Sequence, residues 1–223
     1  MKSTLLSSDL TPETGESIRK ALANLDQSGT KIYDRKQQQV YRFEAAGLDL
    51  VAKVYGIKSF SRVLAAALGF SRARRSFRAS VTLRNAGLRT PKSLILIEEG
   101  PLLFSSSVLV TEFCEGPSLR DLLDHGKHVP DSMAGDIHEM LHQMSTINFR
   151  HGDFHGINLL VSENGKPNLI DLDNARRRFL GGAARRNIEN DRDRLLSSFE
   201  LYPEFRNTLI KQLGAPGTPL LDR

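Results

Sequence analysis

The sequence predicts an α+β fold built as two lobes, a small antiparallel sheet followed by a mainly helical half. Three observations predict it. Residues 31–55 read as three successive β-strands joined by short turns. Ile137, Met140, Leu141 and Met144 recur at helical spacing, and helical patterns return after residue 188. Between these helices, two short apolar runs, 158–161 and 168–172, flank Asn164-Gly165, a hairpin signal. At 223 residues, 39% hydrophobic and 26% charged, the chain can bury a core and has an ordinary globular composition. We read it as one domain over 1–223. It comprises an N-terminal extension with a helix (1–30), a sheet lobe (31–111), a helical lobe (112–213) and a tail (214–223).

Residues 1–10 read as untethered. Thr11-Pro12-Glu13 starts a helix, with a capping hydroxyl, proline at the first helical position and an acid in the first turn. Ile18, Leu22 and Leu25 share its buried face until about Asp26. Strands are expected at 31–34, 39–45 and 48–55, with Gly47 in the turn between the last two. Phe60, Val63, Leu64, Ala67 and Leu68 form a short amphipathic stripe beside Lys58 and Arg62. Such a stripe suits a core-facing helix first and a membrane surface second. Ser71 to Gly87 reads as a further helix with Ala73, Phe77 and Val81 on one face. Strands follow at 93–98 and 108–113. Ser118 and Asp121 form a capping box ahead of Leu119, Leu122 and Leu123. Asp131 caps the helix of Ile137 to Met144, on which His138 and His142 read as solvent-facing. Helices are expected at 188–201 and 204–213, with Asp191, Arg192, Asp193 and Arg194 as surface or interlobe pairs and 214–219 as a frayed tail.

Composition narrows the function. The single Cys114 excludes an intrachain disulfide framework and a multi-cysteine zinc site. The first residues lack a signal-peptide pattern and no apolar run reaches transmembrane length, so a cytoplasmic location is expected. Net charge is +5, and no acid occurs from Val54 to Ile97 although Arg72, Arg74, Arg75, Arg78, Arg84, Arg89 and Lys92 fall there. That block suits an anionic partner or a solvated helical face.

The chemistry sits in Arg150-His151-Gly152-Asp153-Phe154-His155-Gly156-Ile157-Asn158-Leu159-Leu160 and its echo Leu169-Ile170-Asp171-Leu172-Asp173. The hairpin sets Asp153 and Asn158 before its first strand and Asp171 near the end of its second. Three oxygen-bearing side chains then converge at one edge. That suits phosphoryl transfer: a carboxylate takes the acceptor hydroxyl's proton, while an amide and a second carboxylate hold magnesium. Five residues separate Asp153 from Asn158, and thirteen more lead to Asp171.

This pattern resembles the catalytic and metal-binding loops of the protein-kinase-like superfamily. It is most similar to the branch of aminoglycoside phosphotransferases and bacterial lipopolysaccharide core kinases, which act on heptose or 3-deoxy-manno-octulosonic acid. The resemblance implies a bilobal protein-kinase-like fold with ATP and Mg2+ between the lobes. It implies Asp153 as base, with Asn158 and Asp171 as metal ligands. Val51-Ala52-Lys53-Val54 is similar to the motif whose lysine holds the α- and β-phosphates; the same residues also read as a solvent-facing alternation. By resemblance, backbone groups of Glu112, Phe113 and Cys114 are the adenine-binding hinge. His155, Arg176, Arg177, Arg178, Arg185 and Arg186 border the acceptor, where arginine forks suit an acidic sugar. The implied substrate is an anionic glycolipid, with peripheral contact at the inner membrane and no nucleic acid favoured.

Three features depart from the family pattern. The first turn, Asp34 to Gln38, lacks the glycine-rich lid, and the helix over 71–87 lacks the glutamate that pairs with the strand lysine. Glu44, Asp49 and Glu98 are the candidate partners for Lys53. Asp173 stands where the family has glycine. Two rivals stay open on this pattern: a protein kinase or a kinase of the tRNA-modification machinery, and a nucleotide-binding pseudokinase.

Overall fold

The computed structural model describes residues 2–35, 38–56, 71–99, 106–177 and 181–218. The expected stripe around Phe60 to Leu68 lies outside them. The chain divides into two compact units, Met1–Val81 with Pro91–Phe113 and Thr82–Thr90 with Cys114–Arg223.

The first unit is a six-stranded sheet whose pairings are all antiparallel, in the order β1-β5-β6-β4-β3-β2. Its strands are β1 (Lys2–Leu6), β2 (Thr30–Arg35), β3 (Gln38–Ala45), β4 (Leu48–Gly56), β5 (Ser93–Glu99) and β6 (Ser106–Glu112). The five expected strands are present with ends moved by one or two residues. The sixth corrects the expectation of an untethered N-terminus, because β1 pairs with β5 from Lys2↔Glu99 to Leu6↔Ile95. An edge strand needs only one partner's carbonyls and amides, which five residues supply without a strong apolar pattern of their own.

Side-chain alternation gives the sheet two apolar faces. On one, Tyr41, Phe43, Leu50, Ala52 and Val110 pack with Ile18 of α1 (Pro12–Ala23) and Leu25 of α2 (Leu25–Ser28). Thr11 caps α1 as expected, its hydroxyl accepting from the Thr14 amide at 3.3 Å. On the other, Tyr55, Leu96 and Leu109 pack with Ala73 and Phe77 of α3 (Arg72–Asn85).

The second unit is mainly helical. Its helices are α4 (Leu119–Asp124), α5 (Met133–Thr146), α6 (Gly181–Ser197) and α7 (Pro203–Leu213). α4 opens on the expected capping box of Ser118 and Asp121. α5 starts after Ser132, which makes no side-chain cap, rather than on a cap from Asp131. His138 is buried, which corrects its expected exposure, and its ring stacks on His142 at 6.5 Å. α6 begins at Gly181, seven positions before the expected start at residue 188. Met133, Ile137, Leu141, Met144, Phe154, Leu195, Phe199, Leu209 and Leu213 form a fully buried core. The tail is tied rather than frayed as far as Thr218. The buried Arg192 binds Asp193 at 2.7 Å, and the Gly217 amide donates to the same carboxylate at 3.2 Å.

Candidate active site

The active-site loop starts from β7 (Phe149–Arg150), which pairs with β10 (Arg176–Arg177). After it come a single 3-10 turn at Gly156–Asn158, then β8 (Leu159–Val161) and β9 (Pro167–Leu169) as an antiparallel hairpin. The hairpin is the expected one, but its turn is not. Only Gly165 takes a positive φ, 74°, whereas a primed Asn-Gly turn needs it at both residues. Asn164 instead turns its side-chain oxygen onto Ser162 Oγ and the Lys166 amide, at 2.7 and 3.2 Å. The loop is therefore wider, with Gly165 N donating to Ser162 O at 2.8 Å. Lys166 also binds Asp136 of α5 at 2.8 Å, so this helix buttresses the hairpin.

Asp153, Asn158 and Asp171 come together through backbone bonds. Asn158 Nδ2 donates to the main-chain oxygen of Asp153 at 2.8 Å. The amide of Ile170, next to Asp171, donates to Asn158 O at 2.9 Å. Asp171 lies beyond β9 rather than within a strand. Its φ of 58° and ψ of 64° are left-handed, a strained conformation for a residue with a Cβ, and it opens a 3-10 turn at Leu172–Asn174. Asp173 is buried in that turn.

Asp153 is about one-third exposed, with its Oδ1 at 3.1 Å from His155 Nε2 and 3.6 Å from Arg194 Nη1. Asn158 is nearly buried. Its amide nitrogen being bonded to Asp153 O turns its oxygen the other way. An amide oxygen and a carboxylate form a hard donor set, which fits magnesium completed by substrate phosphates. No group of three or more His, Cys, Asp or Glu side chains placed to hold a metal ion occurs among the described residues.

The loop is held by Asp191, expected from the sequence in a surface or interlobe pair. Asp191 of α6 is fully buried. Its carboxylate accepts from the amides of His151 and Gly152 at 2.7 and 2.9 Å. Burial pushes its pKa up, while His151 and the two amides pull it back. His151 is also fully buried. Its Nε2 lies 3.0 Å from Ile170 O, and its Nδ1 accepts from the Asp153 amide at 3.3 Å, so the ring carries its proton on Nε2. Burial lowers the His151 pKa, favouring the neutral ring. One imidazole thus links the Asp153 backbone to the strand end that carries Asp171. A signal for Asp191 was present: it shares the helical stripe of Ile188 and Leu195, both buried.

Two glycines show how closely the loop packs. A Cβ on Gly156 would lie 2.4 Å from the buried Phe199 ring. One on Gly116, at φ 121°, would lie 2.1 Å from Val161 O. Pro117 and Ser118 are bonded to β8 through Val161 N→Pro117 O at 2.8 Å and a Ser118–Leu160 bridge, which explains the close approach.

Lys53 lies on β4 opposite Val40 and Leu109, on the sheet face that packs against α3. All three candidate partners share that face by register. Asp49 is four residues along the strand, roughly 13 Å at the usual strand rise, and is bound by Arg42. Glu44 stands opposite Asp49. Glu98 on β5 accepts from Ser71 and Arg74 of α3. A helix–sheet ion pair therefore exists, with its polarity reversed relative to the family pattern. The amides of Glu112 and Phe113 donate to Lys92 O and Asp49 O, each at 3.0 Å, and are committed within the unit. Cys114 begins the next segment and is half-buried. Arg176 and Arg177 are exposed on β10. Arg178 and the side chains of Arg185 and Arg186 lie outside the described residues.

The model of the lipopolysaccharide kinase (Kdo/WaaP) family matches residues 36–214. No curated protein sequence matches significantly. Among solved structures, the chain is similar to WaaP in complex with acyl carrier protein, with a TM-score of 0.65 and 17% identity, covering 94% of this chain and 89% of that one. It is similar to monomeric WbdD with a TM-score of 0.54 and 19% identity, over 81% of this chain and 41% of that one. At such identities the likeness is one of fold, and it bears out the kinase-like α+β expectation.

Proposed function

The chain belongs to the lipopolysaccharide kinase (Kdo/WaaP) family, and from that premise we propose the residues and reactants of its phosphotransfer. The family makes it a phosphotransferase acting on a sugar hydroxyl. The proposed donor is ATP with Mg2+, and the proposed acceptor is a lipopolysaccharide core sugar, heptose or 3-deoxy-manno-octulosonic acid.

The observation that carries this reading is the bonded run of Asp153, Asn158 and Ile170-Asp171. These bonds support the reading, because they would hold the proposed base and the two proposed metal-donor residues near one another before any substrate arrives. Asp153 Oδ1 is already met by His155, so Oδ2 is the oxygen that would orient the acceptor hydroxyl and take its proton as the O–P bond forms. Asn158 and Asp171 would hold the magnesium, which when bound offsets the negative charge of the phosphates. Lys53 would hold the α- and β-phosphates. Backbone groups of Glu112 to Cys114 other than the two committed amides would meet the adenine. His155, Arg176 and Arg177 would border the acceptor.

No helix among the described residues is long and apolar enough to cross a membrane. Peripheral contact with an anionic membrane surface is proposed on the exposed Arg72, Arg78 and Val81 of α3. Association with an acyl carrier protein, the companion in the WaaP structure, is proposed on that likeness alone, and co-elution of the two purified proteins tests it.

The test of the main reading is ATP turnover with magnesium and core oligosaccharide stripped of phosphate. Phosphate should appear on the oligosaccharide with the wild type and not with Asp153→Ala. Transfer by Asp153→Ala at the wild-type rate would overturn the assignment of the base.

A further inference from the structure

The second unit has a depression of about 300 Å³, lined by Arg120, Gly156, Ile157, Ser198 and His155, the last of which meets Asp153. That volume is at the lower end for small-molecule sites and admits one sugar ring. Its walls are fixed in advance. Arg120 Nη1 donates to Ser198 O at 2.6 Å, and Ser198 Oγ accepts from the Gly156 amide at 3.2 Å. Ile157, 57% exposed, offers an apolar surface of the kind on which the C–H face of a sugar rests.

The cations around this depression differ. Arg120 is committed: it pairs with Asp124 at 3.1 Å and lies over the Tyr202 ring at 4.9 Å. Arg194 is not so engaged. Its side chain is 46% exposed, and its one ion pair among the described residues is the 3.6 Å approach to Asp153 Oδ1, longer than a hydrogen bond. Two links tie Arg194 to the depression. His155, which lines it, meets the same Asp153 oxygen. Ser198, which also lines it, lies one helical turn after Arg194, its amide donating to Arg194 O at 3.0 Å.

We propose that this depression is the acceptor subsite and that Arg194 binds an anionic group of the acceptor, a sugar carboxylate or a phosphate, beside the base. The proposal rests on the sugar-kinase reading above and adds the place and charge of its acceptor. A guanidinium bonds either anion through two parallel N–H groups, which would also fix the sugar's rotation about Asp153.

Calorimetric binding, without nucleotide, of phosphorylated core oligosaccharide ending in 3-deoxy-manno-octulosonic acid tests it. The same sugar with its carboxyl reduced, and the same sugar dephosphorylated, provide the two comparison arms. Arg194→Gln is expected to weaken binding of the intact sugar about tenfold, and Arg194→Lys to recover part of the loss. The gap should close in one arm: carboxyl reduction if a carboxylate is held, dephosphorylation if a phosphate is. Lys127→Gln, a charge-matched change at an exposed site, should bind as the wild type does. The proposal is overturned if Arg194→Gln binds the intact sugar as well as the wild type. It is also overturned if the gap survives in both arms, if Lys127→Gln loses as much, or if the wild type binds none of the sugars. Because binding needs no turnover, a wild type that binds but transfers no phosphate would overturn the kinase reading and not the subsite.

Discussion

The sheet of the first unit and the loop of the second are held by different forces. The sheet buries two apolar faces, against Ile18 and Leu25 on one side and Ala73 and Phe77 on the other. Of its acids, Asp49 meets Arg42 at a partly exposed site, where Arg42 also stacks on Phe113 at 3.9 Å. The loop from His151 to Asp173 is knit by polar bonds to buried partners, above all the Asp191 carboxylate. Apolar packing tolerates small errors of position. The proposed base and metal ligands would need directional bonds to keep their geometry, and the buried Asp191 carboxylate lies behind them.

The largest effect should come from removing that charge. Asp191→Ala strands the buried His151 amide and the half-buried Gly152 amide and should cost about 1–4 kcal/mol, with turnover lost even where the protein still folds. Chemical denaturation and phosphotransfer measured together check it. A variant as stable and as active as the wild type would show that the loop holds itself. Next, Gly116→Ala meets backbone rather than a flexible side chain and should cost about 2–4 kcal/mol. A thermal midpoint unchanged from the wild type would break the claim that the hairpin is packed to contact against the chain after β6.

The buried imidazole gives a pH signature. His151 has a lowered pKa in the folded state, so its contribution is full above its unfolded value of about 6.5 and fades as pH falls from there towards the folded value. Asp191 has the opposite sign. Its raised folded pKa gives a contribution present below about 3.8 that is lost as pH rises through the folded value. The His151 contribution should therefore fall as pH is lowered from 8 to 5, against the opposite trend of Asp191, and in stability measured over that range His151→Gln should remove that acid-side loss. An unchanged loss in the variant would assign the acid sensitivity elsewhere. The smallest effect belongs to the sheet: Asp49→Ala breaks a partly exposed pair and should change stability by about 0–1 kcal/mol. A loss as large as that of Asp191→Ala would erase the contrast between the two regions.

The same difference decides what could be read from the sequence. The sheet follows from local period: β3 and β4 alternate around Gly47 and needed no distant information. The caps at Thr11 and Ser118 are equally local. The candidate site residues could be picked out because Asp153, Asn158 and Asp171 sit at short, fixed spacings around a hairpin. Their support was not. Asp191 is forty positions from His151, within Asn190-Asp191-Arg192-Asp193-Arg194, whose charge reads as surface. Only its phase with Ile188 and Leu195 marked it as buried. β1 was missed for a related reason, since its strand identity comes from pairing with β5, which no local pattern in Lys2 to Leu6 records. The turn at Asn164-Gly165 was misread because the Asn side chain can bond its neighbours instead of taking the left-handed conformation.

The central claim is that Asp153 acts as the base of a sugar kinase held in place by this loop. The most direct measurement is the mass of dephosphorylated core oligosaccharide after incubation with ATP, magnesium and either the wild type or Asp153→Ala. The account predicts one added phosphate with the wild type, and with Asp153→Ala a rate lower by about a hundredfold or more while the thermal midpoint stays close to that of the wild type. Equal phosphorylation by the two proteins would contradict it.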